Sequence, residues 1–455
     1  MEKERLSLRI KLGYGVCDLG ENLFFTIMGF YVLNFVTDVA LLGAALAGTA
    51  LWVGKIWDGF IDPAIGYLSD RTKSRMGRRR PWMLSGAIAL LFLMVLMFTN
   101  PHIENQFLLF TWVIAVYCLL VAAYSILNIP YAALTPELCR DYDGRTVLTA
   151  YRMSFAVFGT FIGFGLVLPI VNAFGGKDLG WTVMAAVMAA IICGTALITI
   201  FTVKEPPHAP EATAGKSGFF ASYGEALKNK PFMSAVLAFT FHVTGTSVVQ
   251  GSMIYYFKYI YGGNGIFELA GVCLLVPSLL CIPLWTKISE KIGKRRCYNL
   301  GMGIVILGVT AIFLFAADRG PVFFYVVMAL AGIGFSTHYV MPHSLLPDVT
   351  ELDYAQNGVR REGVFYGFWN LSMQVGQAFA LALSGWLLAA FGYVPNVAQT
   401  DLARLGIRLL VGPAAAVFFV AGIVALSFYP IDRAYYDREI LPRVAEREKA
   451  SGTSV

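Results

Sequence analysis

The sequence predicts an all-α membrane protein of twelve transmembrane helices, arranged as two pseudo-symmetric six-helix bundles. Three observations predict it. Of 455 residues, 57% are hydrophobic and only 14% are charged, whereas about a quarter of a soluble chain carries charge. The apolar residues fall in runs long enough to cross a bilayer, which takes about 20 residues of helix. A loop with an acid, a glycine and a basic cluster recurs at the same place in each half. Such a composition excludes an ordinary soluble enzyme, a nucleic-acid binder and a disordered chain. The formal net charge of +6 is spread between the apolar runs and is not gathered into a nucleic-acid surface.

The elements follow in order. Met1 to Lys11 is charged and leads into an apolar run without a small-residue cleavage site, which predicts a first span and not a signal peptide. Apolar runs lie near 12 to 36, 41 to 69, 81 to 100, 106 to 135, 146 to 170 and 180 to 203. They resume near 231 to 261, 265 to 288, 295 to 317, 321 to 346, 362 to 391 and 402 to 429. The polar stretch between the two sets, rich in Pro, Ala, Gly and Lys, reads as a linker. The expected organisation is an N-terminal bundle over 1–203, a linker over 204–230, a C-terminal bundle over 231–429 and a tail over 430–455. Cysteines at 17, 118, 139, 193, 273, 281 and 297 stand singly, with no CxxC and no Cys/His pairing, so no disulfide framework or metal site is expected.

Loop charge sets the orientation. Arg71, Lys73, Arg75, Arg78, Arg79 and Arg80 lie between spans two and three, and Lys287, Lys291, Lys294, Arg295 and Arg296 between spans eight and nine. Loops on the other side carry only Lys177, Arg319 and Arg404, apart from Lys258 and Arg408 near span ends. With an even number of spans, both termini, the linker and the basic loops are expected in the cytoplasm, for a multi-pass protein of the plasma (inner) membrane.

The basic loops, GYLSDRTKSRMGRRR (66 to 80) and LWTKISEKIGKRR (284 to 296), match in acid and glycine as well as in charge, which favours a true repeat over the general rule that inside loops are basic. Parallel six-helix halves with equivalent cytoplasmic loops are the pattern of the major facilitator fold, whose substrate site lies near the bilayer midplane. Asp70 with Arg71, and the equivalent Glu290 with Lys291, stand where a cytoplasmic gate of ion pairs is expected.

Charges within spans are costly in hydrocarbon and point to a pathway. In LWVGKIWDGFIDPAIG, Lys55, Asp58 and Asp62 share one face of span two. Two carboxylates can hold Na⁺ or H⁺, with Lys55 moderating the charge; the plainer alternative is a structural salt bridge. Span one carries Asp18, Glu21 and Asn22, span four Ser125 and Asn128, and span five Arg152, whose guanidinium needs an anionic partner or water. Helix–helix hydrogen bonding is the plain alternative for Ser125 and Asn128. Gly54-Lys55 lacks the spacing of a phosphate loop, the sequon at Asn370 falls within a span, and His242, His338 and His343 are read as lying in different spans without ligand spacing. No catalytic constellation is found, so no enzyme is expected.

The segments KLGYGVCDLGENL, YVLNFVTDV, VGKIWDGFIDPAIGYLSDRTKSRMGRRRPW, NIPYAALTPELCRD, TAYRM and SLLPDVTELDYAQNGVRREGVFYGFWNL resemble the glycoside-pentoside-hexuronide:cation symporter family, which includes the melibiose carriers. They occur in order over nearly the whole chain, and they are similar also to the sodium-dependent lysophosphatidylcholine symporters. The resemblance implies a cation site at Asp58 and Asp62, with Ser125 where melibiose carriers have threonine and Ile61 where they have asparagine. It implies a substrate-holding arginine at Arg152. The sugar site departs from the pattern: the span-one lysine and aspartate become Glu21 and Asn22, the span-four aspartate Asn128, a nearby tryptophan Ala132, and the span-eleven lysine Gln374.

The expected function is therefore secondary active symport, coupling Na⁺ or H⁺ entry to uptake of a glycoside, sugar or related small organic solute by alternating access. The alternative is cation-coupled transport of a lysophospholipid or other amphiphile. The expected substrate groups are Asp18, Glu21, Asn22, Asn128, Arg152 and Gln374. No cofactor beyond the coupling ion, no nucleic acid and a monomer working in the lipid bilayer are expected.

Overall fold

The computed structural model describes residues 7–138, 142–204, 227–263, 266–358 and 362–450, and every regular element among these described residues is helical. Span one is bent, Leu8–Phe30 meeting Val32–Val39 at 46°. Spans two to six are Ala44–Arg71, Arg80–Met97, Gln106–Leu138, Tyr142–Ala173 and Asp178–Thr202. Spans seven and eight are Lys230–Ile260 and Phe267–Ile292. Span nine is Lys294–Ala311 continued by Ile312–Ala316, span ten Ala317–Asn357, span eleven Glu362–Ala390 and span twelve Asp401–Ser427.

Among the described residues, nine helical stretches are long and apolar enough to cross a bilayer, ten when the bent pair of span one is included. Two more complete the expected twelve. Lys294–Asn357 is two spans parted at Gly320, whose φ of 75° lies where a side chain would be strained, so the helix turns there. Span two is long enough, but Lys55, Asp58 and Asp62 dilute its apolar content. Phe60, Phe92, Phe107, Leu280, Leu307 and Phe428 are each more than two-thirds exposed on these helices. In water such side chains would be a liability; in lipid they face their natural solvent.

The helices pack as two compact units. The first runs from the N-terminus through span six and takes in Leu381–Ala398, so the last part of span eleven and the chain beyond it belong here. Within it span one packs on span five, span two on span four, and span three on spans four and six. Backbones come close where side chains vanish: a Cβ on Gly159 would stand 2.1 Å from the Leu19 carbonyl oxygen, and one on Gly385 2.4 Å from that of Ala44. Trp386 Nε1 donates to Thr49 Oγ1 at 3.0 Å, and Asn396 Nδ2 to the Asp38 carbonyl at 2.5 Å.

The second unit comprises spans seven to ten, span eleven to Ala380, span twelve and the tail. Spans eight and nine pack on span ten, and span seven on span twelve. Its core is aromatic, with Phe232, Phe239, Tyr298, Trp369 and Tyr429 buried together. The tail continues as short helices, Arg433–Tyr435, Tyr436–Ile440 and Leu441–Ala450, with Ile440 in that core and the Tyr436 hydroxyl donating to the Glu351 carboxylate.

Candidate functional site

Two ion pairs within the spans of the first unit carry the candidate site, one joining two helices and one lying along a single helix. Because Gly159 lets span five lie against Leu19 of span one, Arg152, about two turns earlier on span five, reaches Asp18. The contact is bidentate, Arg152 Nε to Asp18 Oδ2 at 2.6 Å and Nη2 to Oδ1 at 3.1 Å. Tyr131 of span four donates to Asp18 Oδ2 at 2.5 Å, and its ring lies 4.9 Å from the guanidinium. Arg152 Nη1 also donates to Thr135 Oγ1 at 3.2 Å, an atom paired with the Tyr14 hydroxyl at 2.7 Å. A buried charge is tolerated only when paired and fully hydrogen-bonded, and this pair has both.

The second pair lies on span two. Lys55 Nζ stands 3.3 Å from Asp58 Oδ2, and Ser125 of span four donates to Asp58 Oδ1 at 2.9 Å. A Cβ on Gly54 would fall 2.1 Å from the Tyr117 ring, so only glycine lets spans two and four approach closely enough for Ser125 to reach across. Asp58 and Ser125 are buried, and Asp62 is half-buried one turn beyond. Among the described residues no three His, Cys, Asp or Glu side chains converge as ligands. A Na⁺ here would take two carboxylates and neutral oxygens such as Ser125, a set suited to an ion that must leave again.

Span four connects the two pairs. Three residues beyond Ser125, Asn128 donates to the Tyr124 hydroxyl at 3.0 Å and faces Glu21, which is buried with Oε1 lacking a hydrogen-bond partner. Phe24 stacks on Tyr124 at 4.5 Å, and Phe25 lies 5.3 Å from Tyr124 and 5.8 Å from Lys55 Nζ. Asn22 instead donates to its own helix, at the Asp18 carbonyl. So Asp18, Glu21, Asn128 and Arg152 gather on one side, and Lys55, Asp58 and Ser125 on the other.

A family model described as MFS/sugar transport protein matches residues 13–433. The chain belongs to this family. A symporter of Synechocystis sp., sll1374, is 30% identical, the match covering 96% of each chain. The sodium-dependent lysophosphatidylcholine symporter 1-A of Danio rerio is 26% identical over 91% of this chain and 85% of that relative. The fold is similar to that of a bacterial homologue of the human lysosomal transporter Spinster, with a TM-score of 0.66 at 14% identity, covering 96% of this chain and 97% of that one. The resemblance read from the motifs is thus borne out: the protein is a multi-pass, cation-coupled solute transporter of the MFS/sugar transport family and not an enzyme.

Gln374 is half-buried in the second unit. Of the expected gate, the Asp70 side chain lies outside the described residues, Arg71 stacks on the Tyr67 ring at 4.0 Å, and Glu290 and Lys291 are exposed at the end of span eight. The close ion pair at that end of the second unit is one the gate reading missed, Lys294 Nζ with Asp348 Oδ2 at 2.6 Å. One reading is corrected: His338 and His343 share span ten, and His242 of span seven stacks on His338 with ring centroids 4.4 Å apart. Helical spacing brought them together where linear motifs gave no sign. Sequence reasoning also missed Tyr14, Tyr131 and Thr135, ordinary span residues whose hydroxyls become significant only once Arg152 is known to turn toward Asp18.

Proposed function

We propose that the protein couples entry of Na⁺ or H⁺, bound at Asp58 and Asp62 with the Ser125 hydroxyl, to uptake of a glycoside or related small organic solute. The solute is held by Asp18, Glu21, Asn22, Asn128, Arg152 and Gln374. One observation carries the reading: Asp58 is buried within span two, its carboxylate accepting from the Ser125 hydroxyl at 2.9 Å and standing 3.3 Å from Lys55 Nζ. Lys55 supplies the counter-charge while the site is empty, and an arriving cation replaces it. Ser125 and Asn128 sit on adjacent turns of span four, so a shift of that helix alters the cation and solute groups together.

In this reading residues 1–203 and 231–429 are the two moving bundles, joined by the 204–230 linker and followed by the 430–455 tail. Asp70, Arg71, Glu290 and Lys291 gate the cytoplasmic side. The protein lies in the plasma membrane with both termini inside and works as a monomer. The test is uptake into proteoliposomes under an imposed Na⁺ or pH gradient. Wild type should concentrate a glycoside under one of these gradients, and Asp58→Asn should still exchange solute but fail to concentrate it. If Asp58→Asn concentrates solute as well as wild type does, the cation site lies elsewhere. The similarity to a lysophosphatidylcholine symporter keeps a second reading, transport of an amphiphile, which the same assay reveals as uptake that rises with acyl length.

A further inference from the structure

Arg408 is a charge within span twelve that the symport site does not use. It follows the first residue of Asp401–Ser427 by two helical turns, about 10 Å along the axis. A span of 27 residues measures about 40 Å, the thickness of a bilayer with its headgroups, so this depth lies near the boundary of headgroup and hydrocarbon. Span nine meets span twelve here. A Cβ on Gly412 would stand 2.5 Å from the Phe313 Cβ, and both helices widen into π turns at the contact, Ile312–Ala316 and Leu410–Ala414. Such turns are rare and recur at functional sites.

The guanidinium is only partly matched. Nη2 donates to the Phe313 carbonyl at 2.7 Å, the Phe313 ring centroid lies 5.4 Å away, and Nε is buried without a hydrogen-bond partner. Arg408 as a whole is half-buried, and among the described residues nothing bonds Nη1 and no carboxylate stands within ion-pair distance. Arg152 by contrast has the Asp18 carboxylate. A carbonyl and a ring leave the charge of Arg408 uncompensated, and an uncompensated cation at this depth calls for an anion. Arg404, one turn nearer the start of the span, is exposed on the same face and adds a second positive charge. Beside Phe313, Leu314 and Leu307 are exposed on span nine, an apolar wall one turn and more below the guanidinium.

We infer that Arg408 binds the phosphate of a phospholipid headgroup, with Arg404 assisting and an acyl chain lying along Leu314 and Leu307. Nη2 keeps one N–H on the Phe313 carbonyl and gives the other to the phosphate, while Nη1 donates to a second phosphate oxygen. Long arginine stems reach toward the headgroup layer from just below it, and helical side chains lean toward the start of their helix, here the near interface. Lys294 opens span nine and Phe313 lies near its far end, so the lipid belongs to the leaflet opposite the basic loop of this unit. Its binding holds spans nine and twelve together at their π turns, whichever solute the protein carries.

The test uses three probes on purified full-length protein, stripped of lipid in an uncharged maltoside detergent and titrated by native mass spectrometry. Palmitoyl-oleoyl phosphatidylglycerol carries phosphate and chains, palmitoyl-oleoyl glycerol the chains alone, and glycerol 1-phosphate the phosphate alone. Wild type should take its first phosphatidylglycerol about tenfold or more tighter than either other probe. Arg408→Gln should weaken that first site about tenfold, and Arg408→Lys, which keeps the charge without the fork, should fall between. If Arg408→Gln does not fold, Arg404→Gln, at an exposed position, should still weaken the site about threefold. Unchanged first-site affinity in Arg408→Gln, or in Arg404→Gln where only that variant folds, overturns the inference. Palmitoyl-oleoyl glycerol binding wild type as tightly as phosphatidylglycerol overturns the phosphate contact, and glycerol 1-phosphate doing so overturns the lipid.

Discussion

At Asp18 a buried carboxylate meets an arginine fork and a tyrosine hydroxyl, and each partner comes from a different helix. Hydrogen bonds to a charged group contribute about 1.5–3 kcal/mol, so Tyr131→Phe should lower stability by roughly that amount in a denaturation series in detergent micelles. An unchanged midpoint would mean that the Tyr131 bond carries no weight. At Asp58 the balance differs, because in the proposed coupling Lys55 is the counter-charge that an arriving cation replaces. Lys55→Ala should tighten apparent cation affinity about tenfold while slowing turnover, since release then leaves a buried carboxylate unmatched. Cation affinity weaker than wild type would instead make Lys55 a structural brace. Asp18 and Arg152 were each visible in the sequence as charges within spans, but their pairing was not. They stand 134 residues apart, and nothing local to either says which neighbour it meets.

Helices carry these side chains to one another only where backbones approach closely, and span five shows the difference between two glycines. A Cβ on Gly159 would collide with the Leu19 carbonyl, whereas one on Gly165 would meet nothing within 4 Å. Gly159→Ala should therefore push span five from span one, loosen the Asp18–Arg152 pair and lower both stability and solute binding. Gly165→Ala should be neutral or gain up to about 1 kcal/mol from reduced chain entropy. Equal melting temperatures for the two variants would contradict the packing account. Span eleven makes a related point: beyond Ala380 it belongs with the first unit, held there by Gly385 against Ala44, by Trp386 and by the Tyr393 hydroxyl on Asp38. Hydropathy gave that helix its length and depth, but an apolar run does not record which neighbour each end packs against.

For the whole molecule, the number and order of spans were legible because burial in lipid imposes length and apolarity on every helix. Span two came out as a helix although its charges weaken that signal, and those charges form the proposed cation site. What stayed hidden was the division into units at Ala380 and the partnership of Lys294 with Asp348, both products of packing and not of composition. Symport is a property of this scale, since neither ion pair alone moves anything across a membrane. It is tested by following labelled solute and labelled Na⁺ together, with internal pH, in the same proteoliposomes without any driving gradient other than solute. Solute entry should draw in Na⁺ or H⁺ at a fixed ratio in wild type, and Asp58→Asn should let solute equilibrate with no cation movement. Solute entry in wild type with neither cation following would contradict coupling at Asp58.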